Sequence, residues 1–160
     1  VLVGHVARAN PIWRSPLSKV PGIITFQGPQ SYVTPSWYPS KHENGKAVPT
    51  WNYAVVHAHG VPAFIQDKAW LYNHVSQLTD RHEASQPHPW RVDDAPADYT
   101  GQMATLAVGI ELTVMRLQGK WKVSQNQPAE NRESAVRGLL AAGSEDATLM
   151  AQLVQTHGPR

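Results

Sequence analysis

The chain has 160 residues, and 14 Lys and Arg against 12 Asp and Glu leave a formal charge of only +2. It contains no cysteine, which excludes a disulfide framework, an iron–sulfur cluster, a thiol nucleophile and any cysteine-based zinc site. A chain this long buries roughly 70% of its unfolded surface without such staples, and no apolar run approaches the roughly 18 residues of a membrane span.

Residues 1–7 read as a short strand, without the basic and long apolar stretches of a signal peptide. No Met precedes Val1, so the start is expected to be a processed terminus or a break within a longer protein. Asn10-Pro11 supplies an N-cap followed by Pro, which predicts a brief helix from Pro11 to about Leu17. Ile23 to Gln27 is a buried-type strand, Gly28-Pro29 a turn, and Ser31 to Thr34 the returning arm of a hairpin. Pro35 to Lys46 reads as irregular. Trp51 to His59 is the strongest strand, Gly60 turns it, and Val61 to Ile65 returns.

Asp67 then caps a helix over 68–84, in which Trp70, Leu71, His74, Val75 and Leu78 form one apolar stripe. A proline-rich loop spans Gln86 to Pro96, and Ala97 to about Leu106 is helical. Val108 to Val114 is a strand, and a turn at Gln118-Gly119 leads into Lys120 to Ser124. Pro128 opens a helix to about Ala142 that Gly143 ends, and Ser144 caps a last helix over 145–156. Short strands with Gly and Pro turns, and helices between them, predict a small barrel with helical decoration.

Four segments carry residues suited to binding. In Gly4 to Pro11 a strand runs into a capped helix start, where free backbone N–H groups and Arg8 suit a phosphate; a plain strand-to-helix junction is the alternative. Ser36-Trp37-Tyr38-Pro39-Ser40-Lys41 places two aromatics beside Ser and Lys, fit either to stack on a planar ligand or to plug a barrel end. In the third segment, alternation puts Trp51, Tyr53, Val55, His57 and His59 on one face of a strand, with Thr50, Asn52, Ala54 and Val56 on the other. His57 and His59 lack a third metal ligand at a telling spacing, which favours structural histidines. The fourth, Gly119 to Asn126, offers Lys120 and Lys122 on one face and then Ser124, Gln125 and Asn126, whose amides suit the edge of a heterocycle. A solvated hairpin edge guarded by lysines is the alternative. No Walker-type loop, Gly-x-Ser-x-Gly elbow or His-Glu-x-x-His motif is present, and no catalytic residue is assigned.

The stretches Phe26-Gln27-Gly28-Pro29, Pro35 to Lys41, Val48-Pro49-Thr50-Trp51-Asn52-Tyr53, Thr79-Asp80-Arg81-His82-Glu83 and Trp121-Lys122-Val123-Ser124-Gln125-Asn126 stand in this order. Together they resemble the signature of the PaiB family, FMN-binding negative transcriptional regulators of bacteria, from Gly4 to about Leu140. The resemblance implies a mainly β fold with helices (α+β), an FMN-binding split β-barrel similar to pyridoxamine-phosphate oxidase. It also implies a cytoplasmic homodimer with flavin near the subunit interface. By the same resemblance His5, Ala7, Arg8 and Asn10 fall where the wider fold grips the flavin phosphate. Trp51, Asn52, Lys122, Ser124 and Gln125 would lie near the ring or ribityl chain, with Trp37 and Lys41 completing the cofactor set. Residues 1–127 are expected to form the FMN-binding domain, short of the strands that family members carry before Gly4, and 128–160 a helical appendage.

The function this implies is FMN-dependent negative regulation. A flavin-dependent oxidoreductase acting on a small substrate is the first alternative, since flavin carries the redox chemistry itself. A haem or metal binder using His57, His59 or His82 is the second. DNA contact, direct or indirect, stays open. The helix pair 128–142 and 145–156 imitates a helix-turn-helix, but Arg132 and Arg137 are outnumbered there by Glu130, Glu133, Glu145 and Asp146.

Overall fold

The structure, a computed structural model, describes residues 1–157 without the side chains of residues 17 and 18. The last three residues of the predicted appendage lie outside the described residues. The chain forms two units, Val1–Ile23 with Ala58–Arg116, and Ile24–His57 with Leu117 onward.

The first unit holds a three-stranded sheet in the order β1-β5-β4, formed by β1 (Leu2–Ala7), β4 (Pro62–Ile65) and β5 (Ala107–Leu112). All pairing is antiparallel, and His5 and Ile65 both stand opposite Gly109. Two helices belong to this unit, α2 (Lys68–Glu83) and α3 (Ala97–Thr105). Asp67 caps α2 by accepting from the Trp70 amide. Trp70 fixes α2 over the sheet: a Cβ at Gly109 would lie 2.3 Å from its ring, and its indole N–H donates to Glu111 at 3.1 Å. Leu71, Val92, Val108 and Leu112 are buried.

The second unit holds the sheet β2-β3-β6, from β2 (Gly22–Val33), β3 (Thr50–Gly60) and β6 (Arg116–Lys122). It also holds α1 (Pro39–Asn44), α4 (Ala129–Ala142) and α5 (Glu145–Thr156). Gly143, at φ 71°, ends α4 in the left-handed conformation that glycine adopts without strain. Ser144 starts α5 by accepting from the Ala147 amide. Val136 and Leu139 of α4 pack with Met150, Ala151 and Val154 of α5 and with Val123. Asn131, buried on α4, donates to Ser40 Oγ at 2.9 Å and Gln127 Oε1 at 3.0 Å.

Four expectations change. The Gly28-Pro29 turn does not form, and β2 runs unbroken through it. Gly28 is needed there for close approach, since a Cβ would lie 3.2 Å from the Ala54 carbonyl oxygen; Pro29 is tolerated because β2 is an edge strand. Pro35 to Lys46 is not irregular: Thr34 caps a 3-10 turn over Pro35–Trp37, and α1 follows. Val61 to Ile65 does not return along β3 but pairs with β5. The Gln118-Gly119 turn is absent too, because Gly119 sits mid-strand and makes room for the Trp121 ring.

Candidate functional site

Strand β3 sorts the third predicted segment into two environments. Asn52, Ala54, Ala58 and Gly60 are buried, while Trp51 points outward at 55% exposure. Small residues on the inner face let neighbouring elements approach, so the bulky side chains of β3 are left on the outer face.

On the inner side, Asn52 is wholly buried and donates to Ser124 Oγ at 2.9 Å. Ser124 holds φ 58°, an uncommon conformation for a side chain other than glycine. Asn52 Oδ1 and the Tyr38 hydroxyl are buried without a hydrogen-bond partner among the described residues. Burial raises the Tyr38 phenol above its ordinary pKa, and the Ser124 side chain opposes that shift. The Gln125 amide is spent on its own backbone, accepting from the Val123 N–H and donating to the Trp121 carbonyl. Trp37 packs against the α4–α5 core, its ring over Gly138. Lys41 donates to Ser36 Oγ at 3.3 Å. Asn52, Ser124, Gln125 and Trp37 thus order the interior from which the outer face is presented.

On the outer side lies a depression of about 360 Å³, at the small end of the range for ligand sites. Thr25 and Gln27 of β2, Tyr53 and Val55 of β3, and Gln118 of β6 line it, with His57 and Lys120 as its basic groups. Gln27 Nε2 donates to the Ala54 carbonyl at 3.3 Å, which orients the amide. Beyond it stand Trp51, edge-on to Tyr32 at 6.1 Å, and the exposed Lys122, which donates to Thr50 Oγ1. Aromatic surface, amides, hydroxyls and the Lys120 ammonium share one exposed face, with Lys122 at its end. Such a set can stack on a planar heterocycle, pair with its polar edge and attract an anion. Thr25, Gln27, Tyr53, Gln118 and Lys120 are absent from the set assigned by resemblance. Period-two alternation on β3 and β6 was the signal that could have found three of them.

The expected phosphate segment lies in the first unit. Asn10 caps the Pro11–Arg14 turn by accepting from the Ile12 amide. That turn is four residues long. Arg8 donates through Nε to the Thr105 carbonyl, through Nη1 to Gln66 at 2.8 Å and through Nη2 to the Ala107 carbonyl at 3.0 Å. It also lies over the Trp13 ring at 5.5 Å. Arg8 therefore clamps β1 to the start of β5. Ala7 pairs with Ala107.

His5 Nδ1 lies 3.2 Å from His74 Nε2, and His74 stacks on Trp70 at 5.1 Å. Burial, and secondly the charge of His5, lower the His74 pKa from its ordinary 6.5. Above that value both folded and unfolded chains carry a neutral imidazole. As pH falls below it the unfolded chain takes the proton first, so stability declines toward the depressed folded value. The urea midpoint should accordingly drop between pH 7.5 and pH 5.5, and His74→Asn should flatten that decline. An equal slope in both proteins would assign the pH dependence to other groups.

Among the described residues no three His, Asp or Glu side chains are grouped to hold a metal, and no helix is long and apolar enough to cross a membrane.

Among the described residues, two three-stranded sheets and five α-helices define the class, an α+β protein that fits a flavin-binding, split-barrel-like fold. More narrowly, residues 1–116 match the family described as "Putative FMN-binding domain", and the chain belongs to that family. FMN is the cofactor this membership assigns, and the outer face carries groups of a kind that fits it: the Tyr53 ring, the Gln27 and Gln118 amides and the Lys120 ammonium. The chain is 31% identical over 184 residues to protein AN0679 of Emericella nidulans, covering 99% of this chain and 73% of that one. It is 29% identical over 154 residues to the protease synthase and sporulation protein PAI 2 of Bacillus subtilis, covering 96% and 72%. Among solved structures, the flavocytochrome Anf3 of Azotobacter vinelandii overlays with a TM-score of 0.47 at 10% identity, over 75% of this chain and 49% of that one.

Proposed function

We propose that this chain is an FMN-dependent negative transcriptional regulator of the PaiB type, acting in the cytoplasm as a homodimer with flavin near the subunit interface. The observation that carries the binding site is the outer face of the second unit's sheet. There Trp51 and Tyr53 offer ring surface, and Lys120 and Lys122 offer charge. In this reading Trp51 and Lys122 touch the cofactor, while Asn52, Ser124, Gln125 and Trp37 position the strands from which they project. Lys41 stands ready for the polar tail. His5, Ala7, Arg8 and Asn10 act through the fold of the first unit. Residues 1–127 carry the flavin domain, and 128–157 support it through the packing of α4 on Trp37.

The dimer is supported by apolar side chains left in solvent on the second-unit strands, the neighbouring Tyr32 and Trp51, both at least 46% exposed. Exposed apolar surface of this kind marks a face that another molecule covers. The regulatory reading is supported by similarity to a relative named a protease synthase and sporulation protein.

The test is a visible spectrum of the purified protein during titration with FMN, together with its molar mass by light scattering. Saturable binding with a shifted flavin spectrum, on a particle of twice the chain mass, is the expected result. No spectral change at saturating FMN would overturn the assigned face. Rapid reduction of the bound flavin by NADH or NADPH would favour the oxidoreductase over the regulator.

A further inference from the structure

A second cavity, of about 270 Å³, lies wholly within the first unit and is unlike the flavin-suited face in its chemistry. Its walls are Leu71 and Val75 from α2, Tyr99 and Met103 from α3, and Trp90 from the connecting loop. Ala95, Ala104 and Ala107 also line it. These are small side chains where a closed core would carry large ones, and they leave the space open. Trp90, Tyr99 and Met103 remain between 41% and 54% exposed, so the apolar lining continues into solvent.

The loop over this cavity is held rather than loose. The Trp90 amide donates to Glu83 Oε2 at 3.1 Å, and the Arg91 amide to Asp94 Oδ2 at 2.8 Å. The Tyr72 hydroxyl donates to Asp93, which ties α2 to the same loop. The backbone that carries Trp90 is thereby held, and a loop that is already ordered costs little to bind against.

No Asp, Glu, Lys or Arg lines the cavity, so an ion entering it would lose its hydration without a counter-charge. Its one basic ring is His5, whose Nδ1 is engaged by His74 Nε2. Two tautomers satisfy that pair. If His74 donates, His5 Nε2 carries a proton; if His5 donates, its Nε2 is bare. A ligand hydroxyl matches either case, since it both donates and accepts. Size narrows the choice further, because a cavity of about 150 Å³ holds a single benzene. Trp90, Tyr99 and Met103 favour an aromatic occupant, through ring–ring and sulfur–ring contact.

We propose that this cavity binds a small, uncharged aromatic hydroxy compound, of one substituted ring or two fused rings, with its hydroxyl directed to His5. The cavity shares no residue with the outer face of the second unit's sheet, because every residue that lines it lies outside the second unit.

The experiment titrates the full chain, in the presence of saturating FMN, with 2-naphthol and separately with 2-naphthoate, following heat release and tryptophan fluorescence. Saturable one-to-one binding of 2-naphthol is expected, with 2-naphthoate at least tenfold weaker. Ala104→Leu fills the cavity and should weaken 2-naphthol at least tenfold while leaving the FMN titration unchanged. Equal affinity for the two probes in the unaltered protein overturns the proposal without any variant, as does no saturable binding of 2-naphthol. Unchanged 2-naphthol affinity in folded Ala104→Leu overturns it as well. Should Ala104→Leu fail to fold, Ala95→Val makes the same comparison. Loss of 2-naphthol binding as protein concentration rises would show that a second copy of the chain fills the cavity instead.

Discussion

Replacing Lys120 and Lys122 together with alanine should weaken FMN binding by about ten- to a hundredfold while leaving riboflavin binding within about twofold. A charge-assisted hydrogen bond contributes roughly 1.5–3 kcal/mol when well formed, and solvent screening of these exposed lysines pulls the sum toward the lower figure. Riboflavin carries the same ring and ribityl chain without the phosphate, so it isolates the charge from the stacking surface. Raising the salt concentration should weaken FMN binding to the unaltered protein and have little effect on the double variant. Both substitutions fall on the exposed strand β6, so the thermal midpoint should hardly move. Parallel loss of FMN and riboflavin would move the phosphate elsewhere on the protein and leave only the stacking role to this face. Trp51→Ala supplies the complementary result. It removes ring surface, and should weaken both flavins alike.

The second large effect concerns a glycine in the middle of a helix. Gly138 lies inside α4, where replacing glycine by alanine ordinarily stabilises a helix by about 1 kcal/mol. Here the sign should reverse. A Cβ at position 138 would sit 2.3 Å from the Trp37 ring, and Trp37 is packed against the same core as Val136, Leu139 and Met150. The atoms met are Cγ, Cδ2 and Cε2, the near part of a rigid ring, so overpacking should cost about 2–3 kcal/mol. For a chain of this size that lowers the thermal midpoint by roughly 5–10 °C. Gly138→Ala combined with Trp37→Leu should recover much of the loss, since the clash and not the helix is at fault. A higher midpoint for the single variant would show that Trp37 is free to turn aside.

The same two residues show how far the sequence could be read. Trp37, beside Ser and Lys in a proline-bounded loop, is consistent with stacking on a ligand and with plugging a core; only the tertiary structure brings α4, roughly a hundred residues later, against it. Arg8 behaves likewise. Its position after a strand and before Asn10-Pro11 suggests a phosphate partner, yet its donors go to Gln66, Thr105 and Ala107. Those acceptors are remote in sequence, and nothing local signals them.

What the sequence by itself determined was local or cumulative. Asn10, Asp67 and Ser144 announced their caps, and Gly143 its stop, because each acts on backbone within three residues of itself. Alternation along Trp51 to His59 separated two faces, and the ordered run of motifs led to the flavin family. The tertiary structure alone decided which face of β3 is buried, that Gly28 and Gly119 lie inside strands, and that Pro62 to Ile65 pairs with β5. A glycine reads as a turn when judged by its neighbours in sequence. It serves a straight strand when Ala54 or the Trp121 ring occupies the volume a Cβ would need. Strand pairing and close approach depend on atoms brought together across the chain, and the local pattern of residues does not encode them.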